Sequence, residues 1–161
     1  MSEIGKAFSE LGQLEVEMGE ALFMFYKISA LAVKSRRHRF LIDHADYFNL
    51  EDIRPLGELD AVLVTHEHAD HFDAPSTVDI QRATAAVIVR NPGAYAPLKG
   101  RVAAEKLMLL EPEKNAEVKG VKITAIKSVH PGRLSHCRDG GSFAPPWIRL
   151  WLHKRHREVQ R

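Results

Sequence analysis

A mixed β-sheet with flanking helices, the α/β class, is what this sequence predicts, on three observations. Ala61-Val62-Leu63-Val64 and Ala86-Val87-Ile88-Val89 are unbroken apolar runs, and a strand apolar on both faces needs cover on both. Between them, Asp73 and Pro75 open a helix running to about Thr84, the carboxylate capping first-turn amides and the proline fitting the first turn. Val121–Val129 then alternates apolar and polar residues, the period of a half-buried strand. The 161 residues suffice for one ordinary domain. One mixed sheet is expected to hold strands near 28–34, 39–43, 60–65, 86–89 and 121–129.

Residues 2–25 place Ile4, Phe8, Leu11, Met18, Leu22 and Phe25 on one helical stripe, interrupted by Gly5, Gly12 and Gly19. The expectation is a helical extension, either packing on the domain or docking a partner. Ile28–Val33 and Arg39–Asp43 flank a polar, basic turn at Ser35–His38, the pattern of a β-hairpin. The bases at 36–39 read as a solvated turn or a phosphate contact. Residues 44–59 connect, with Asn49 opening one helical turn before Pro55. Asn91-Pro92-Gly93 stops the strand at 86–89. A helical stretch around 94–106, a strand at Lys106–Leu110 and a surface turn at Glu111–Asn115 follow.

Hydrophobic and charged fractions of 45% and 27% are those of a soluble globular protein. The net charge of +2 hides an asymmetry: residues 133–161 carry seven Lys/Arg against two acids. Cys137 is the single cysteine, which excludes an internal disulfide and fits a reducing compartment. No apolar run approaches the ~20 residues of a membrane span, and the first 20 residues are acidic, unlike a secretory leader. The protein is read as cytoplasmic, with no membrane partner.

The chemistry concentrates at His66-Glu67-His68-Ala69-Asp70-His71, directly after the 61–64 strand. Neutral imidazole is the commonest metal ligand, and a nearby carboxylate supplies charge to the cation. In an extended segment, residues i and i+2 point to one side, so His66 and His68 can converge on one ion. A turn then swings Asp70 and His71 towards a second point. The alternative is a polar loop whose histidines face solvent, which is also the reading for His38 and His44. His130 ends the 121–129 strand, as a further ligand or an ordinary turn histidine.

Thr65-His66-Glu67-His68-Ala69-Asp70-His71 resembles the T-H-x-H-x-D-H signature of the metallo-β-lactamase superfamily, in its required context after a strand. Leu41-Ile42-Asp43 resembles the family's second strand, whose aspartate supports the metal site without being a ligand. His130 resembles the next motif. The resemblance covers about residues 28–132 and is nearest the compact hydrolases related to ascorbate-6-phosphate lactonase. It implies part of a four-layered αββα sandwich, residues 26–132, between the 1–25 extension and a basic tail at 133–161. It further implies one or two Zn²⁺, with Mn²⁺ as the alternative. His66, His68 and His130 would hold the first ion, and Asp70 and His71 would help hold the second. Asp70 would be catalytic, aiming a water at a small-molecule ester, lactone or phosphoester.

After Arg133 the family's bridging aspartate and final histidine find no counterpart, so most of the second half is expected to be missing. Two further expectations follow from that. One is a non-catalytic relative that binds metal only. The other is self-association through an uncovered sheet face, since soluble monomers rarely expose large apolar patches. A separate reading uses the tail, where Trp147, Trp151 and the bases of 149–157 are ingredients of nucleic-acid contact. Its alternative is a basic end with no partner.

Overall fold

A computed structural model describes residues 2–129 and 146–153. The chain divides into two compact units at Leu109/Leu110. The first begins with helix α1 (Glu3–Gln13), then strands β1 (Ala21–Tyr26), β2 (Ala30–Ser35) and β3 (Arg39–Ile42). Helix α2 (Leu50–Ile53), strand β4 (Ala61–Val64), helix α3 (Ala74–Thr84), strand β5 (Val87–Arg90), helix α4 (Tyr95–Leu98) and strand β6 (Leu107–Leu109) follow. The six strands make one mixed sheet in chain order, antiparallel from β1 to β3 and parallel from β3 to β6.

Parallel neighbours need crossovers, and the helices supply them. Asn49 caps α2 through a capping box with Asp52, and Asp73 caps α3 by accepting from the Ser76 amide at 2.8 Å. Leu41, Val62, Val64 and Ile88 join Phe8, Ile53, Leu56, Val78, Ile80 and Leu98 in a single buried cluster. Because β3, β4 and β5 run parallel, their C-terminal ends share one edge. Asp43, Thr65-His66 and Asn91 leave the sheet there, where open α/β sheets place their ligands.

Two expectations need correction. The helical stripe over 2–25 ends at Gln13, and Ala21–Tyr26 is a strand paired with β2. Leu22 and Phe25 fit a period of 3.6, but Ala21-Leu-Phe-Met-Phe-Tyr26 also fits a period of two. Leu22, Met24 and Tyr26 pack on the core cluster, while Phe23 and Phe25 are 64% and 65% exposed on the other face. The second correction concerns Val121–Val129. It is a strand, but it belongs to the second unit's own antiparallel sheet, β7 (Asn115–Val118), β8 (Val121–Val129) and β9 (Pro146–His153). A period of two reports a half-buried strand and carries no information on which sheet receives it. The stretch 94–106 shortens to α4 and a 3₁₀ turn at Ala104–Lys106.

The end of α1 is held by a buried cation. Lys34 Nζ donates to the carbonyls of Leu11 (3.0 Å), Gly12 (2.6 Å) and Leu14 (2.7 Å), satisfying groups that a helix C-terminus leaves open. Burial, with Arg39 nearby, pushes this ammonium below the usual lysine range. Lys34→Met keeps the stem and strips the three carbonyls of their donor. Hydrogen bonds to a charged group typically contribute about 1.5–3 kcal/mol, and a loss of about 2 kcal/mol is expected in urea unfolding. A loss below about 0.5 kcal/mol, the scale of an ordinary surface substitution, would mean that water replaces the ammonium without cost.

Candidate metal centre

Asp43 organises the site. It follows β3 in a left-handed backbone conformation (φ 48°), and its amide donates to Leu63 O at 3.0 Å, extending the β3–β4 ladder by one residue. A non-glycine residue at positive φ costs on the order of 1 kcal/mol or more and persists where its surroundings fix it. The buried carboxylate accepts from the Thr65 amide at 2.7 Å, the Thr65 hydroxyl at 2.5 Å and His71 Nδ1 at 3.0 Å.

Counting protons along these contacts assigns the histidine tautomers. The Thr65 hydroxyl has one proton and gives it to Asp43, so at its 3.0 Å contact with His66 Nδ1 it accepts. His66 therefore carries its proton on Nδ1 and its lone pair on Nε2. An ionised carboxylate only accepts, so His71 likewise donates from Nδ1 and presents its lone pair at Nε2. Asp43 thus sets both rings, one directly and one through Thr65, in the carboxylate–imidazole arrangement typical of metal sites.

The rest of the loop folds over these rings. Amides of His71 and Phe72 donate to His68 O at 2.9 and 2.8 Å, closing a tight turn over residues 68–72. The Asp70 carbonyl accepts from the hydroxyls of Ser29 and Tyr47, the latter at 2.9 Å, which ties the loop to the β1–β2 turn and to the segment after β3. The His66 ring centroid lies 4.7 Å from that of His68 and 3.9 Å from that of His71. Asp70 Oδ2 is 3.7 Å from His71 Nε2, with its side chain 48% exposed.

Two donor sets result, each with ligand atoms within 4.8 Å of one another: His66, His68 and Asp70, and Asp43, His66 and His71. The oxygens of Asp43 accept three hydrogen bonds from the site's own residues, which ties this carboxylate to Thr65 and His71. His66, His68, Asp70 and His71 are brought together at one sheet edge. His130 lies outside the described residues, as do residues 131–145 and 154–161, which hold the bases at the end of the tail.

Histidines 38 and 44 do not simply face solvent. His38 Nδ1 is 3.2 Å from Asp60 Oδ2. His44 is 1% exposed, its Nε2 3.1 Å from the Thr77 hydroxyl, which itself donates to Asp73 O. Burial pushes His44 down to about 4, against the opposing pull of the Ala45 backbone and of Asp43 and Asp73. Sequence reasoning also missed Ser29, Tyr47 and the contact of Glu67 with Asn91 (2.7 Å). The first two touch a backbone carbonyl, and such contacts leave no periodic trace.

A β-lactamase superfamily domain model matches residues 23–143, beginning inside β1. A UPF0173 metal-dependent hydrolase of Rubrobacter xylanophilus is 35% identical over 95 residues, covering 58% of this chain and 37% of that protein. The chain therefore spans little more than a third of that relative's length. CmlA, a diiron β-hydroxylase from Streptomyces venezuelae, superposes with a TM-score of 0.51 at 16% identity, over 66% of this chain and 24% of CmlA. The metallo-β-lactamase SMB-1 gives 0.48 at 15% identity, over 70% of this chain and 52% of its own. A family match over well more than half of the sequence, on a sheet whose strand ends gather the T-H-x-H-x-D-H residues, makes this chain a member of the metallo-β-lactamase superfamily.

Proposed function

We propose that the cluster is the metal centre of a metal-dependent hydrolase acting on an ester, lactone or phosphoester. The observation that carries the reading is the His66, His68 and Asp70 donor set within 4.8 Å, with the His66 tautomer fixed through Thr65 by Asp43. Imidazole with carboxylate suits zinc first and manganese or iron next. The metal-dependent hydrolase relative, 35% identical over 95 residues, supports the same class. A divalent ion bound there would supply Lewis acidity, bringing a water towards neutral pKa and polarising the scissile carbonyl or phosphoryl oxygen. The half-exposed Asp70 carboxylate can accept a hydrogen bond from that water and orient it, while its main chain is anchored by Ser29 and Tyr47. Asp43 keeps the rings in their ligating tautomers.

Elemental analysis of the purified chain for zinc, manganese and iron tests the reading. About one equivalent is expected in the wild type and less than a tenth of that in a His66→Ala/His68→Ala double variant, with ester hydrolysis lost in parallel. Full metal content in the double variant would refute it.

A further inference from the structure

Glu67 stands between the two proposed imidazole ligands, and its side chain leads to a different strand. Its Oε2 accepts from Asn91 Nδ2 at 2.7 Å. Asn91 is itself buried and held on several sides. Its amide donates to Val64 O at 3.3 Å, its Oδ1 accepts from the Ala94 amide at 3.1 Å, and its carbonyl accepts from Arg90 Nη1 at 3.1 Å. Two residues further on, Gly93 lies so near Glu67 that a Cβ there would overlap the carboxylate. The Glu67 carboxylate is therefore seated against the turn after β5, in a space that depends on the missing side chain of Gly93.

We infer that Glu67 is a positioning residue of the metal centre: its bond to Asn91, in the seat left by Gly93, fixes the backbone between His66 and His68 and so the approach of the two rings. This rests on the reading of those histidines as ligands. The physical reason is the short lever. Each ligand is one peptide from Glu67, and Asn91 continues the β4–β5 ladder through Val64, so the 66–68 segment is tied to the most buried part of the sheet. Without the tie, the 66–68 segment loses its support from the β5 side, while the turn at residues 68–72 and the Asp43–Thr65 contacts remain. Partners of this kind typically alter metal affinity 10–100-fold when removed.

Competitive zinc titration against a chromophoric chelator, with melting temperature recorded for each variant, tests this. Glu67→Ala and Asn91→Ala are each expected to weaken zinc binding about tenfold, and the double variant little further, because both remove the Glu67–Asn91 contact; Asn91→Ala also strips the Ala94 amide of its acceptor and should lower the melting temperature more. Gly93→Ala should weaken it similarly by displacing the carboxylate. Glu67→Gln should stay within threefold of the wild type, since its amide oxygen can still accept from Asn91 without the charge. Affinity within twofold of the wild type in Glu67→Ala overturns the inference, even if the melting temperature falls. Equal weakening in Glu67→Ala and Glu67→Gln also overturns it, assigning the effect to charge. If the wild type binds no zinc that depends on His66 and His68, the metal-centre reading itself fails and this inference fails with it. That result is distinct from an insensitive Glu67.

Discussion

Asp43→Ala is expected to unfold the site edge and empty it of metal together. The substitution removes one acceptor from three donors: the Thr65 amide, the Thr65 hydroxyl and His71 Nδ1. The hydroxyl can turn towards His66, but the buried Thr65 amide loses the 2.7 Å acceptor that compensates its desolvation. Breaking a buried, charge-assisted contact set of this kind costs about 3–5 kcal/mol. Alanine also inherits a backbone at φ 48°, which adds a further fraction of that amount. Metal content should fall with stability, since neither ring then has its proton held on Nδ1.

Asp43→Asn separates the two effects. Its amide oxygen can keep the Thr65 N–H, and asparagine tolerates the left-handed backbone, so much of the stability should return. Its NH₂ group, however, would face His71 Nδ1, and a donor there favours the tautomer with the proton on Nε2, the nitrogen that the proposed metal centre needs unprotonated. A stable but metal-poor Asp43→Asn variant is the expected result, read by urea unfolding and elemental analysis. An Asp43→Ala protein within about 1 kcal/mol of the wild type and fully metallated would remove Asp43 from its central role, since that loss is far below the cost of a broken buried contact set.

What the sequence made legible was whatever repeats or has strong local chemistry. The runs at 61–64 and 86–89 declared buried strands because four apolar residues in succession leave no polar face. Asp73 declared the start of α3 because an N-cap acts over three residues. The histidine cluster was legible for the same reason: its donors lie within six positions, and the strand before them fixes which way they leave the sheet. What stayed hidden depends on contacts between distant residues. Ala21–Tyr26 satisfied two periods, and the pairing with β2 decided between them. Glu67 and Asn91 are 24 positions apart, and neither residue type announces the other. His44 read as a loop histidine because nothing around it in the chain is apolar for long, yet α3 closes over it through Thr77.

That closure makes acid stability the second large effect. The Thr77 hydroxyl spends its proton on Asp73 O, so His44 Nε2 donates to Thr77, and the neutral ring carries its lone pair on buried Nδ1. Protonation would put a full charge at a site with almost no access to water, which is why burial takes His44 down to about 4 against an unfolded value near 6.5. Below pH 6.5 the unfolded chain therefore binds a proton that the folded chain refuses. Stability from this group is fully present above pH 6.5 and is lost as pH falls to about 4, where the folded form also protonates. The shift corresponds to about 3 kcal/mol, a large fraction of a typical domain's stability. Other carboxylates titrate near the lower end of this window, so the informative quantity is a difference between proteins. In His44→Gln the side-chain amide can still donate to Thr77 and nothing at that position titrates. Urea unfolding at pH 7 and pH 4 should show a drop smaller by about 3 kcal/mol in the variant than in the wild type, with most of the divergence between pH 6.5 and 4.5. Parallel stability curves for the two proteins across that range would show that His44 is protonated in the fold as easily as out of it, and that the pocket beneath α3 admits water.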